Sequence, residues 1–172
     1  MDALKFKTLV HYICWRCNDP VELGSIKLNK TLWLSDFRSH YQHGQSITGA
    51  RYVKRQYGPV PAAILPMQKE LECEGRLAVK TTDYHGYQKT EYKALTAPDT
   101  SIFTDRELEI IDQAIDFVCR QNTAKSISEH SHDEIWRMAE IGEEIPYFTI
   151  FARPGELTED EIMWGAEQIE SA

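Results

Sequence analysis

The chain lacks any long hydrophobic run and any leader-like start. No apolar stretch approaches the roughly eighteen residues that a membrane helix needs. The opening residues, MDALKFK, lack the apolar segment of a secretory signal peptide. These two absences exclude the membrane-spanning and exported classes, so we expect a cytoplasmic protein without membrane contact. At 172 residues with 42% hydrophobic content, the chain is long enough for one domain with a real core.

Motifs for catalysis are also missing. The sequence contains no glycine-rich phosphate loop, no Ser-His-Asp order of a hydrolase and no paired-carboxylate motif. We therefore expect no enzyme, no cofactor and no metal site.

Cysteine is scarce, and its spacing forms no disulfide framework. The four cysteines are Cys14, Cys17, Cys73 and Cys119, which we interpret as reduced thiols. Cys14 and Cys17 make a CxxC pair, but it falls at the end of a predicted helix with no strand before it. The helix dipole there raises a thiol pKa, and a zinc site would need a second pair. We therefore expect the cysteines to be ordinary core or surface residues of helices, and we expect neither a redox site nor a zinc site.

Acidic residues dominate, and their distribution is uneven. The formal net charge of −8 argues against general nucleic-acid binding. Residues 1–95 hold 14 Lys or Arg against 9 Asp or Glu, whereas the remainder holds 5 against 18. An acidic second half beside a basic first half indicates mutual packing, a face for a basic partner, or a solvated acidic surface that aids solubility.

Hydrophobic spacing predicts an α+β fold that is mainly α-helical. Its architecture is a single compact helical domain over residues 1–172 with a small β-hairpin. One face of a first helix is formed by Phe6, Leu9, Val10, Ile13 and Cys17, and the helix ends at Asn18-Asp19-Pro20. A second helix begins near Ser25, its predicted N-cap. A third runs from about Pro61 to Gly75, with either a kink or a late start at Pro66.

The hairpin and the acidic C-terminal helical part, residues 100–172, complete the expected fold. Alternation at 77, 79 and 81 and at 90, 92 and 94 predicts the two arms, with the turn at residues 83–86. Capping boxes at Thr104/Glu107, Ser131/Glu134 and Thr158/Glu161 predict helix starts. The first opens a helix whose buried stripe is Leu108, Ile111, Ile115 and Val118. The apolar run at 147–151 is either a strand or a buried helix.

Two polar residues on the otherwise apolar second helix are candidates for an acid and a base. Lys30 and Asp36 are six residues apart, which places them on nearly opposite sides of a helix. A structural role is better for Asp36: we expect it to accept hydrogen bonds from loop N–H groups or from a tyrosine hydroxyl such as that of Tyr52.

A possible set of metal ligands is formed in the sequence by His130, Ser131, His132 and Asp133. Because these residues open a predicted helix, Ser131 is better explained as an N-cap. His132 precedes Trp136 by four residues, which suits a histidine packed on an aromatic ring or hydrogen-bonded into the core.

The densest pattern lies in residues 25–64. It comprises Lys27-Leu28-Asn29-Lys30, Trp33-Leu34, Asp36, Ser46-Ile47-Thr48-Gly49, Tyr52-Val53 and Tyr57-Gly58-Pro59-Val60-Pro61. In order and spacing these residues resemble the Panacea antitoxin domain, the SocA-like group that includes phage-associated GepA-type proteins. The resemblance extends from about residue 4 to Trp136, with His132 and Trp136 at later motif positions. It implies structural roles for Lys30, Asp36, Gly58, Pro59, Pro61, His132 and Trp136.

The resemblance implies an antitoxin of a toxin–antitoxin system, which neutralises a cognate toxin by direct protein–protein binding. Some relatives act as adaptors that deliver the toxin to a protease. We predict the toxin contact at the basic, aromatic segment formed by Arg51, Tyr52, Lys54, Arg55 and Tyr57. The same basic segment supports the alternative, a DNA-binding regulator of a phage or mobile-element operon. Helices followed by a small hairpin, as predicted here, also occur in winged-helix DNA-binding proteins.

Overall fold

The molecule is mainly α-helical, with two short antiparallel hairpins set among the helices. The computed structural model describes residues 1–17, 19–84, 86–130, 136–137 and 139–151. In chain order the elements are α1 (Ala3–Cys17), α2 (Pro20–His43), β1 (Tyr52–Arg55), β2 (Gly58–Pro61), α3 (Ile64–Cys73), β3 (Leu77–Tyr84), β4 (Tyr87–Ala94), α4 (Asp105–Ile115), a π-helical turn (Asp116–Arg120), α5 (Ala124–His130) and a 3₁₀ helix (Tyr147–Phe151). This confirms the predicted α+β class and adds a second hairpin, β1–β2.

The first two helices supply much of the core. On α1 the predicted face is confirmed, since Phe6, Leu9, Val10 and Ile13 are fully buried. Within α2 the backbone leaves helical geometry at Gly24, whose φ of 49° favours glycine. The regular part of α2 therefore resumes at Ser25, where the sequence predicted the helix to start.

The predicted start of the third helix at Pro61 is wrong. Helix α3 begins at Ile64, so Pro66 lies in its first turn, where a missing N–H removes no helical hydrogen bond. The late start was one of the two predicted alternatives. Pro61 is instead the last residue of strand β2.

Strand β2 tolerates two prolines because of its register with β1. Pro59 pairs with Lys54 and Pro61 with Tyr52. The backbone groups of Lys54 and the carbonyl of Tyr52 bond to residues 142–145 on the other side of β1. In antiparallel pairing, hydrogen-bonded and non-hydrogen-bonded residue pairs alternate. The pairs Lys54–Pro59 and Tyr52–Pro61 are therefore of the non-hydrogen-bonded kind. The backbone nitrogens of Pro59 and Pro61 point away from β1, so their missing N–H groups remove no hydrogen bond between the strands. Their missing N–H groups also protect the outer edge of β2 from further strand pairing.

The second hairpin, β3–β4, matches its prediction. Leu77 pairs with Ala94 at one end of the hairpin, and Tyr84 pairs with Tyr87 at the other. A helix supports the hairpin, because the side-chain amide of Gln68 on α3 donates a hydrogen bond of 3.2 Å to the Tyr92 hydroxyl. Such support stabilises a two-stranded hairpin that would be marginal alone.

The acidic half begins as predicted. Thr104 and Glu107 form a complete capping box at the start of α4. Ile111, Ile115 and Val118 of the predicted stripe are fully buried, and Leu108 is partly buried. The run at 147–151 is a 3₁₀ helix. The predicted helices at Ser131/Glu134 and Thr158/Glu161 and the predicted packing of His132 lie outside the described residues.

A test of the core uses two leucines of different burial. Leu32 on α2 is fully buried, whereas Leu65 in the first turn of α3 is 73% exposed. We expect Leu32→Ala to lower the free energy of unfolding by about 2–5 kcal/mol, since it removes buried methyl groups and leaves a cavity. Leu65→Ala, the matched control, should change it by less than about 0.5 kcal/mol. Urea denaturation of both variants measures the difference; equal losses would contradict the described packing.

Candidate partner-binding surface around the first hairpin

The first hairpin is anchored at a buried carboxylate, that of Asp36 on α2. The backbone N–H of Thr48 donates to Asp36 Oδ1 at 2.7 Å, and the Thr48 hydroxyl donates to Oδ2 at 2.6 Å. The Tyr52 hydroxyl on β1 donates to Oδ2 at 2.8 Å. Asp36 is fully buried. The hydrogen bonds predicted for Asp36, from a loop N–H group and from the Tyr52 hydroxyl, are confirmed.

The loop between α2 and β1 wraps around this carboxylate. The Thr48 hydroxyl also accepts from the N–H of Ala50 at 3.1 Å, and the Thr48 carbonyl accepts from the N–H of Asp2 at 2.8 Å. Gly49, with φ of 67°, turns the chain where it passes the N-terminus, and a side chain there would lie 3.4 Å from the Met1 backbone. The motif Ser46-Ile47-Thr48-Gly49 is thus the binding loop of Asp36, a role that the sequence did not assign to Thr48.

Burial controls the electrostatics of this cluster. Desolvation raises the pKa of the Asp36 carboxyl, and the bonds from Thr48 and Tyr52 oppose the rise because they favour the charged form. Burial also raises the pKa of the Tyr52 hydroxyl, and the nearby Asp36 charge adds to this effect. Tyr52 therefore keeps its proton and remains a hydrogen-bond donor to Asp36.

Aromatic rings extend the cluster to the 3₁₀ helix. The ring of Phe37 contacts Tyr52 edge-on at 5.7 Å and Tyr147 at 4.8 Å between centroids. The Tyr147 hydroxyl donates to the carbonyl of Ala50 at 2.6 Å. Edge-on and tilted ring pairs add favourable electrostatics to apolar burial. Residues far apart in sequence thus hold the base of β1.

Lys54 carries a buried positive charge on β1. Its ammonium donates to the carbonyl of Ala139 at 2.8 Å and to that of Arg137 at 3.4 Å. It also lies 4.2 Å from the ring centroid of Trp136, a cation–π contact. A buried ammonium requires such acceptors. Trp136 therefore contacts Lys54, and the structural role that the resemblance implied for Trp136 remains a prediction.

An acidic segment runs beside β1. Residues 142–145 lie antiparallel to it: the N–H of Lys54 donates to the Glu143 carbonyl at 2.8 Å, and the N–H of Ile145 donates to the Tyr52 carbonyl at 2.9 Å. The side chains of Glu143 and Glu144 are exposed. Arg51 pairs with Glu144 at 3.9 Å, so basic and acidic side chains alternate at this edge of the molecule.

The turn of the hairpin projects outward on a supported base. Tyr57 is 56% exposed, and Arg55 is exposed beside it. Behind the turn, the Ser128 hydroxyl of α5 donates to the Tyr57 carbonyl at 3.2 Å. We call the exposed set Arg51, Arg55, Tyr57, Glu143 and Glu144 the hairpin surface.

The predicted partner-binding residues divide into two groups. Arg51, Arg55 and Tyr57 are exposed on the hairpin surface, and for them the role remains a prediction. Tyr52 is 1% and Lys54 8% exposed. Strand alternation turns both side chains inward, so they support the surface and present no side chain to a partner. The expected bond from Tyr52 to Asp36 was a sequence signal for an inward Tyr52, whereas nothing in the sequence separated Lys54 from its exposed neighbours.

The other motif residues are mostly buried. Lys30 is 2% exposed, on the same helix as Asp36, and Gly58, Pro59 and Pro61 are buried in β2. Residues 131–133, and with them His132 and most of the candidate metal-ligand set His130-Ser131-His132-Asp133, lie outside the described residues. Within the described part of the chain, no three His, Cys, Asp or Glu side chains are arranged to hold a metal ion. None of the helices described there is long and apolar enough to cross a membrane.

The class of the protein follows from comparison with known families. The family Antitoxin SocA-like, Panacea domain, matches residues 28–137, which is more than half of the chain. The protein therefore belongs to the SocA-like Panacea family, as the sequence resemblance predicted. The matched region contains Asp36, the first hairpin and Lys54. Searches among curated proteins and among solved structures gave no match.

The Asp36 cluster predicts a pH-dependent effect of Tyr52→Phe. Loss of the hydroxyl removes a donor to the carboxylate, which should cost roughly 1.5–3 kcal/mol when Asp36 is charged. The variant raises the folded-state pKa of Asp36 further, so its destabilisation should be smallest at acid pH and should grow as the pH rises through that titration. Urea unfolding from pH 4 to pH 8 measures the trend.

A matched control is Tyr92→Phe. Tyr92 is also buried, but its hydroxyl accepts from the neutral amide of Gln68. Its destabilisation should therefore stay constant over the same pH range. A Tyr52→Phe loss that is independent of pH would contradict the bond to the Asp36 carboxylate.

Proposed function

We propose that this protein is an antitoxin that neutralises a cognate toxin by direct contact, and that it acts by binding and not by catalysis. Membership in the SocA-like Panacea antitoxin family is the observation that carries the proposal. Delivery of the bound toxin to a protease, by analogy with adaptor-type relatives, and a cytoplasmic location belong to the same proposal.

The hairpin surface is the proposed toxin contact. Binding energy at protein interfaces concentrates in a few aromatic and arginine side chains, and Arg51, Arg55 and Tyr57 are of this kind. Their backbone is held by the Asp36 cluster, by residues 142–145 and by Ser128. A supported backbone loses little conformational freedom on binding, which favours affinity.

The charge pattern of the hairpin surface favours a protein partner over DNA. Glu144 lies 3.9 Å from Arg51, and the neighbouring Glu143 is also exposed, so both carboxylates would repel a phosphate backbone that approached Arg51. A protein partner can instead present complementary charges of both signs. The DNA-binding regulator is therefore the second candidate, favoured only by the exposed arginines.

Co-expression tests the antitoxin function first. The product of the neighbouring open reading frame is expressed alone and together with this chain, and growth and co-purification are recorded. We expect growth arrest by the neighbour, rescue by this chain and a stable complex. A harmless neighbour, or rescue without a complex, would contradict neutralisation by direct contact. Site-specific DNA binding that weakens steeply with salt would then support the regulator.

Charge reversal tests the contact surface. The double variant Arg51→Glu/Arg55→Glu should bind the purified toxin at least about 30-fold more weakly, as expected for a loss of roughly 2 kcal/mol at interface hot spots. The control is Arg106→Glu, at an arginine on α4 that is also exposed, and this variant should bind like the wild type. Calorimetric titration gives the Kd, and thermal unfolding verifies the fold. Unchanged affinity of the double variant would place the toxin contact elsewhere.

A further inference from the structure

Two cysteines 102 positions apart in sequence meet in the fold. The sulfur atoms of Cys17, the last residue of α1, and Cys119, in the π-helical turn, lie 2.8 Å apart, and both thiols are free. The spacing of the cysteines along the chain gave no indication of this contact. The CxxC motif is misleading, because the sulfur that contacts Cys17 belongs to Cys119.

The π-helical turn brings Cys119 to this place. The N–H of Gln121 donates to the carbonyl of Asp116 at 3.1 Å, a bond that spans five residues and widens the turn. Val118 is fully buried in the core, while Cys119 remains partly exposed against the end of α1. Turns of this type occur frequently at functional sites.

The surroundings of Cys119 are polar and accessible. It lines a cavity of about 670 Å³ together with Gly24, Lys27 and residues 120–124. The ammonium of Lys27, on a side chain 5% exposed, donates to the Cys119 carbonyl at 3.3 Å. The Thr31 hydroxyl lies 4.0 Å from the Cys119 sulfur. Cys119 therefore borders a cavity that is large enough to hold a small molecule.

The two thiols are not equivalent. The contact with Cys17, the Thr31 hydroxyl and the charges of Lys27 and Arg120 lower the pKa of the Cys119 thiol. The contact with Cys119 and burial raise the pKa of Cys17. Cys119 is thus the better thiolate, and Cys17 retains the proton.

The remaining cysteines serve as internal references. Cys14 is 1% exposed, and burial raises its pKa far above the ordinary value, which suits an inert core thiol. Cys73 is exposed at the end of α3, and it is separate from the Cys17–Cys119 pair. Simple exposure would favour reaction at Cys73, whereas the environment favours Cys119.

We propose that Cys17 and Cys119 form a peroxide-reactive dithiol site, in which Cys119 is the nucleophile and Cys17 the resolving thiol. The proposal is independent of the antitoxin function, since the dithiol lies on α1 and the π-helical turn and not on the hairpin surface.

The reaction balances in two steps. The Cys119 thiolate attacks one oxygen of hydrogen peroxide, the O–O bond breaks, and the departing hydroxide takes up a proton to leave as water; Cys119 becomes a sulfenic acid. The Cys17 sulfur then attacks the Cys119 sulfur, its proton passes to the departing hydroxyl, and a second water leaves. Two thiols lose two electrons, and one peroxide gains them. Because an S–S bond measures about 2.05 Å, the sulfurs need to approach by less than about 1 Å.

Mass spectrometry of the full-length protein tests the site. The reduced protein is treated with one equivalent of hydrogen peroxide, the free thiols are alkylated, and the intact mass and the proteolytic peptides are analysed without reductant. We expect the oxidised protein to carry two alkyl groups fewer than the reduced, alkylated control, and one peptide pair to be cross-linked through Cys17 and Cys119. Closing so long a loop constrains the unfolded chain, so the oxidised protein should also unfold several degrees higher than the reduced protein.

Single substitutions separate the roles. Cys17→Ser should stop at a sulfenic acid on Cys119, which dimedone traps, whereas Cys119→Ser should form no cross-link. Cys73→Ser, the matched control, should cross-link like the wild type. A Cys14–Cys17 bond, preferential oxidation of Cys73, or free Cys17 and Cys119 after treatment would overturn the proposal. Peptide mapping of the wild type decides this even if a variant fails to fold.

Discussion

The position of the first hairpin depends on the burial of one carboxylate. A buried charge is costly unless donors surround it, and Asp36 obtains its donors from a loop and a strand that follow it in sequence. Satisfying this one group therefore fixes the path of residues 46–52 over α2. The rings of Tyr52 and Phe37 then place Tyr147, so the 3₁₀ helix depends on the same constraint.

The uneven charge of the two halves of the chain is partly resolved within the fold. Lys5 on α1 pairs with Glu107 on α4 at 2.6 Å, and Arg16 pairs with Asp112 at 3.2 Å. Mutual packing, one of the alternatives considered for this asymmetry, is thus observed. Ion pairs that solvent can reach add little stability, so we infer that the main effect of these two pairs is to orient α4 against α1.

The two proposed sites belong to separate parts of the molecule and use different chemistry. The hairpin surface offers arginines and a tyrosine on a backbone fixed from behind, which suits recognition of another protein. The Cys17–Cys119 pair lies at the end of α1 beside the cavity and offers a thiolate with a neighbouring thiol. Because the sites share no residues, a change in one leaves the chemistry of the other available for separate measurement.

The sequence by itself determined the family, the α+β class, most helix faces, the β3–β4 hairpin and the Thr104 capping box, because these follow from local periodicity and from motif order. It also identified Asp36 as structural, since a carboxylate on an apolar helix needs donors. Pro59 and Pro61, two residues apart, are compatible with the non-hydrogen-bonded positions of an edge strand. Proline is also common at helix starts, so the sequence favoured a helix there over strand β2. Tertiary structure alone decided that Tyr52 and Lys54 are buried, that residues 142–145 lie beside β1 and that Cys119 meets Cys17. These contacts join segments distant in sequence, and no local pattern encodes which distant segment will pack against a given residue.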